Sequence, residues 1–231
     1  MNNLIAFFAH PDDESFGPGG TLALLAKSHN VHIIFATKGE ACTINRQLSP
    51  AELQELRMIE ARTAADIIGA KTVSFLDFPD GFIGNEHIQK MTSILEREIY
   101  QKQANTLITF EPRGFSGHLD HIAVTTAVTS SFNRLSQIES VYYFGITDHQ
   151  RALLPSYFIP IPPGYSRKAF DMVVDVSSVW ETKKEAIAQY GSQQEDIAFW
   201  DAMLEGYHKH EHFITISRGQ PTLTEHILQV Q

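Results

Sequence analysis

Two short stretches carry the side chains best suited to chemistry. AHPDDE (residues 9–14) crowds His10, Asp12, Asp13 and Glu14 directly behind the apolar run LIAFF (4–8). GHLDH (117–121) adds His118, Asp120 and His121. Burying bare carboxylates together is costly unless a cation sits among them. His10 and Asp13 are good ligands for a divalent cation, and Pro11 restrains the turn between them. Imidazole plus carboxylate suits zinc, although iron, cobalt or manganese can substitute. Asp12 and Glu14 cannot both join Asp13 on the same ion, so one of them is better placed to act on water. If GHLDH opens a helix, His118 and His121 lie about one turn apart. One would complete a His–Asp–His set and the other would face the reacting group. Three protein ligands leave one open position, as in catalytic zinc sites. Taken singly, each stretch also reads as a capped turn or an exposed helix start. Their placement behind two different strands is what favours a metal site.

Those strands follow from the hydrophobic pattern. Apolar, β-rich runs at 4–9, 31–37, 72–76, 106–110, 140–145, 171–176 and 212–217 predict strands. Between them, helical patterns occupy 19–29, 49–69, 86–103, 118–132, 177–190 and 194–205. Ser49 fits an N-cap, Pro50 a first turn and Gly69 a C-terminal stop. In the helix over 86–103, Met91, Ile94 and Leu95 belong to the core-facing stripe. Strands separated by helices predict an α/β fold, with a mostly parallel sheet flanked by helices, in a single domain over 1–231. Ligands bind such sheets beyond the carboxyl ends of the strands. AHPDDE, KGEA (38–41) and EPRGFSGHLDH (111–121) should therefore gather at one edge. The proline-rich stretch 147–170 predicts an irregular excursion, either a lid or a packed surface loop.

Composition narrows the function classes. The 231 residues are 43% hydrophobic, enough for one sizeable core, and carry a formal net charge of −9 with no basic run. That argues against a nucleic-acid or anionic-membrane surface. The lone Cys42 excludes an intrachain disulfide. The N-terminal apolar run is too short for a signal peptide or membrane span, so a cytoplasmic location is expected.

AHPDDE followed by GHLDH resembles the LmbE-like, or PIG-L, metal-dependent N-acetylglucosaminyl deacetylases. The family's second motif usually has Pro where this chain has Leu119. RMIEARTAADIIG (57–69) resembles a family helix. KKEAIAQYGSQ (183–193) resembles a late family segment that often has His at the position of Tyr190. The resemblance implies a Rossmann-like fold, with His10, Asp13 and His121 as ligands of Zn2+, or of Fe2+ or another divalent metal. It implies that Asp12 is the general base. His118, as imidazolium, would stabilise or protonate the reacting group, oriented by Asp120. The substrate would be a small-molecule sugar conjugate, an N-acetylglucosamine unit linked to malate in the first instance. A homo-oligomer, trimer or hexamer, is implied as well.

Other residues have competing readings. Arg57 and Arg113 are candidates for substrate contact, against surface ion pairs. Glu14 reads as a support for the turn. Cys42 reads as filler. HKHEH (208–212) could bind a second metal, but an exposed polar approach to the last strand is the preferred reading. GPGG (17–20) hints at a phosphate cradle without the full nucleotide-binding pattern. A thiol-sugar conjugate amidase would use the same metal site. A non-catalytic Rossmann-like nucleotide-binding module would not need Asp12 beside a metal ligand.

Overall fold

Leu4 to Phe8 are fully excluded from solvent, and this run forms β1 (Asn3–Phe8) at the centre of a seven-stranded sheet. The computed structural model describes residues 2–41, 48–154, 160–193, 204 and 209–219. From β1 the chain passes through α1 (Asp13–Phe16) and α2 (Gly19–Leu25) into β2 (Asn30–Phe35). It continues through α3 (Pro50–Ile68), β3 (Thr72–Phe75), α4 (Asn85–Lys102) and β4 (Thr106–Phe110). Next come α5 (Gly114–Gly117), α6 (Leu119–Arg134), β5 (Ser140–Gly145) and α7 (Asp148–Leu153). The chain then forms β6 (Met172–Asp175), α8 (Trp180–Ile187) and β7 (His210–Ser217).

The sheet order is β3-β2-β1-β4-β5-β7-β6. The first five strands pair in parallel. β7 runs antiparallel to both β5 and β6, so the far edge departs from the βα repeat. Alternate residues feed two cores. Leu4, Ala6 and Phe8 face α2, α3 and α8, whereas Ile5 and Phe7 face α4 and α6. Strands buried on both faces explain the nearly continuous apolar runs.

Local chemistry fixes the helix ends. Ser49 caps α3 reciprocally with Glu52, Pro50 occupies the first position, and Gly69 ends the helix at φ 87°. Removing such a cap costs about 1 kcal/mol. The described parts of the stretch 147–170, residues 147–154 and 160–170, are more ordered than its prolines suggest. Thr147 caps α7, Arg167–Ala169 forms a 3-10 turn, and Thr147 bridges to Tyr165. The helix expected over 177–190 begins as a 3-10 turn at Ser177–Val179 and is α-helical only to Ile187. The helix expected over 194–205 lies outside the described residues except for Leu204.

Candidate metal centre

β1 and β4 end side by side, and the loops behind them bring AHPDDE against GHLDH. His10 Nδ1 lies 3.1 Å from His121 Nε2 and 3.7 Å from Asp13 Oδ2, and His121 Nε2 lies 3.3 Å from Asp13 Oδ1. Metal bonds of about 2.0–2.1 Å at tetrahedral angles put donor atoms roughly 3.3 Å apart, a spacing compatible with one small divalent ion between the two imidazoles, to which Asp13 presents one oxygen on the His10 side and the other on the His121 side. The backbone N–H groups of Ala9 and His10 donate to Asp13 Oδ2 and hold that carboxylate in place. The Gly114 carbonyl lies 3.0 Å from His121 Nδ1. Placing the proton on Nδ1 leaves the Nε2 lone pair facing the triangle. Gly114 has φ 71°, and a Cβ there would come 2.9 Å from His121 Cβ, so glycine is what allows this carbonyl to approach.

Behind His10 stand two more carboxylates. Asp80 Oδ1 and Asp120 Oδ2 each lie 3.1 Å from His10 Nε2. Asp120 also accepts from the Gly81 and Ile83 N–H groups, and Asp80 from the Ala41 N–H. Asp80 is absent from the candidates read from sequence. The available signal was its place in the turn behind β3, at the edge where the other loops gather. Burial alone would lower the pKa of His10, but Asp120 and Asp80 outweigh it and raise it well above the ordinary value. Burial, reinforced by His10, lowers His121 to about 3. Three carboxylates thus converge on two buried imidazoles, and this is an environment that calls for a cation.

His118 differs from the sequence expectation. Its Nδ1 accepts the Asp120 backbone N–H at 3.1 Å and caps α6. The Asp120 carboxylate, expected beside His118, faces His10 instead. Burial and then the charges of His10 and His121 lower the His118 pKa to about 4. The ring is therefore neutral near pH 7, with its proton on Nε2. It meets His10 edge-on, with centroids 4.7 Å apart, and stacks on His121 at 5.1 Å.

Asp12 sits at φ 122°, ψ −32°, a conformation that costs a non-glycine residue about 1–3 kcal/mol. Several contacts hold it there. Arg57 donates to Asp12 Oδ2 at 2.7 Å and also to the carbonyls of Pro11 and Gly39. Arg57 is buried, and these contacts turn its guanidinium towards the metal-site turn. Glu14 Oε2 accepts the Asp12 N–H at 3.2 Å, and Glu14 Oε1 accepts hydroxyls from Ser15 and Tyr190 at 2.5 and 2.6 Å. Burial pushes Glu14 up to about 7 despite those two donors. Arg113 stacks over Tyr165, 3.7 Å from the ring centroid, and pairs with Glu111. Tyr165 donates to the same Glu111 carboxylate, pinning the 147–170 stretch to the loop that precedes His118.

Two further readings change. The Gly20 N–H of GPGG and the adjoining Thr21 N–H donate to Glu211, so they are not a phosphate cradle. That carboxylate also pairs with the buried Lys183 at 2.6 Å. In the described part of HKHEH, Lys209 is exposed as expected, but the residues after it already belong to the last strand. His210 and Glu211 open β7, and both Glu211 and His212 are buried. His208 and Cys42 lie outside the described residues.

Comparison with known proteins identifies the family. The PIG-L family model, GlcNAc-PI de-N-acetylase, matches residues 5–132, which hold both motifs. A Bacillus cereus protein named "Probable N-acetyl-alpha-D-glucosaminyl L-malate deacetylase 2" is 27% identical over 217 residues, covering 89% of this chain and 87% of its own. The fold is shared with N,N'-diacetylchitobiose deacetylase from Pyrococcus horikoshii at a TM-score of 0.72 and 21% identity, covering 96% of this chain and 88% of that one. It is shared equally with GalB, a 4-carboxy-2-hydroxymuconate hydratase from Pseudomonas putida. There the TM-score is 0.70 and the identity 18%, over 96% of this chain and 100% of that one. Architecture alone therefore does not specify the reaction. Among the described residues no helix is long and apolar enough to cross a membrane.

Proposed function

Because this chain belongs to the PIG-L family, we propose that it hydrolyses the N-acetyl group of an N-acetylglucosamine conjugate, giving acetate and a free amine. The observation that carries this reading is the His10–Asp13–His121 triangle with the Asp12 carboxyl group on the adjoining turn. The donor set suits zinc, with Fe2+ or another divalent ion as a substitute. Such an ion, when bound, would acidify water and polarise the acetyl carbonyl.

The protein's own residues supply the proton transfers. Asp12, held by Arg57, takes a proton from the attacking water as the water oxygen bonds to the acetyl carbon. Neutral His118 donates its Nε2–H to the oxygen that gains charge, a contact that strengthens in the transition state. Its Nδ1 already accepts from Asp120, so His118 has no second proton to give. Asp12 therefore returns its proton to the nitrogen as the C–N bond breaks. Asp80 and Asp120 orient His10 through Nε2.

The Bacillus cereus relative makes the malate conjugate the first substrate to try. The test is amine and acetate release by metal-loaded protein from a panel of N-acetylglucosamine conjugates and one thiol-sugar amide. Asp12→Asn should keep its metal and lose about 10²–10⁴ in kcat. Full activity in that variant would remove Asp12 as the base. Turnover of the thiol-sugar amide alone would transfer the site to the amidase reading.

A further inference from the structure

Asp12 needs outside support to hold its conformation, and one supporting group comes from far along the chain. Tyr190 follows α8 and lies 176 residues from Glu14 in sequence. It is fully buried, as is Glu14. Its hydroxyl donates to Glu14 Oε1 at 2.6 Å, and Ser15 donates to the same oxygen. Glu14 is thereby turned so that Oε2 receives the Asp12 N–H. Neither Tyr190 nor Glu14 belongs to the metal triangle.

We propose that Tyr190 is a positioning residue, which acts through Glu14 to hold the Asp12 backbone in its left-handed conformation and so aims the Asp12 carboxylate. Two jaws then grip this residue. Arg57 holds its carboxylate and the preceding carbonyl, and the Tyr190–Glu14 pair holds its amide. A ring without the hydroxyl would fill the same space beside Phe16, whose centroid is 6.1 Å away, yet leave Glu14 one donor short. The kinetic part of this inference rests on the amide-hydrolase reading, and the structural part does not.

The test uses the full-length, metal-loaded protein and Tyr190→Phe. Hydrogen exchange is followed at the Asp12 amide, in the peptide covering residues 9–17. Exchange should quicken at least about fivefold. Metal content should stay unchanged, because His10, Asp13 and His121 are untouched. On an N-acetylated substrate that the parent protein turns over, kcat should fall roughly tenfold while KM stays within about twofold. Glu14→Gln gives an independent arm. Its amide must turn a donor towards either the Asp12 N–H or the two hydroxyls, so it should reproduce the Tyr190→Phe phenotype. Combining the two substitutions should add little. Unchanged Asp12 exchange in both variants would overturn the proposal, as would a kcat loss unaccompanied by faster exchange. If no substrate in the panel is turned over, the deacetylase reading fails and the exchange result still decides this one.

Discussion

Among the described residues histidines cluster in two places, and only one of these has the makings of a metal site. His10, His118 and His121 stand behind parallel strands, where loops from β1, β3 and β4 converge with Asp13, Asp80 and Asp120 among them. His210 and His212 stand within β7, where His212 pairs with Gly145 of β5 and Val173 of β6, and His210 pairs with Asp175 of β6. His212 packs against Phe170, and its Nδ1 finds no hydrogen-bond partner among the described residues. The acid between these two histidines, Glu211, points away to cap α2 and pair with Lys183. A parallel sheet gathers the ends of several strands at one edge, so side chains distant in sequence can share an ion. A single strand offers only its own alternation. Convergence of carboxylates, rather than a count of histidines, separates the two regions.

The sharpest way to break that contrast is to exchange the fates of the two clusters. His121→Ala removes one of the three proposed ligands and should lower metal affinity by more than about 100-fold, beyond what supporting contacts are worth. His212→Ala should leave metal content unchanged. Elemental analysis showing metal loss in the second variant and not the first would reverse the assignment.

The next effect concerns the acid in β7. Lys183→Met leaves Glu211 buried and without its cationic partner, so stability should fall by about 3–5 kcal/mol. Denaturant unfolding measures this, and a loss below about 1 kcal/mol would show that the pair does not lock β7 to α8.

Asp80 sharpens the comparison from the metal side. It touches His10 Nε2, opposite the ring nitrogen that faces the triangle. Asp80→Asn should weaken metal binding by about 10–100-fold while the fold persists. Metal titration with a competing chelator checks this. An unchanged affinity would confine the supporting role to Asp120.

The smallest effect is a pH dependence at His212. Burial, followed by the charges of His210 and Arg167, lowers its pKa to about 4. The unfolded chain takes up this proton near pH 6.5, and the folded one only near pH 4. The His212 contribution to stability is therefore complete above pH 6.5 and is lost as pH falls towards 4, by an amount on the order of 1–3 kcal/mol. Unfolding curves at pH 7 and pH 5 should differ less for His212→Gln than for the parent protein. Equal differences would place the titration elsewhere.

Much of this was legible in the sequence because it rests on local periodicity. Five apolar runs separated by amphipathic helices dictate parallel strands, and β1, β2, β4 and β5 bury both faces while β3, at the edge, is only partly buried. Ser49, Pro50 and Gly69 mark the ends of α3 through contacts within a few residues. Tertiary structure decided the partners. Asp80 carries no motif of its own and joins the site only because β3 ends beside β2. Glu211 meets α2 across 190 residues of sequence. The carboxylate of Asp120 could face either neighbouring imidazole, and the amides of Gly81 and Ile83 turn it to His10. Residue type and spacing determined which side chains can ligate or carry protons. Their pairing and their charge states depend on burial and on groups brought from other strands, because desolvation and hydrogen bonding act through space rather than along the chain.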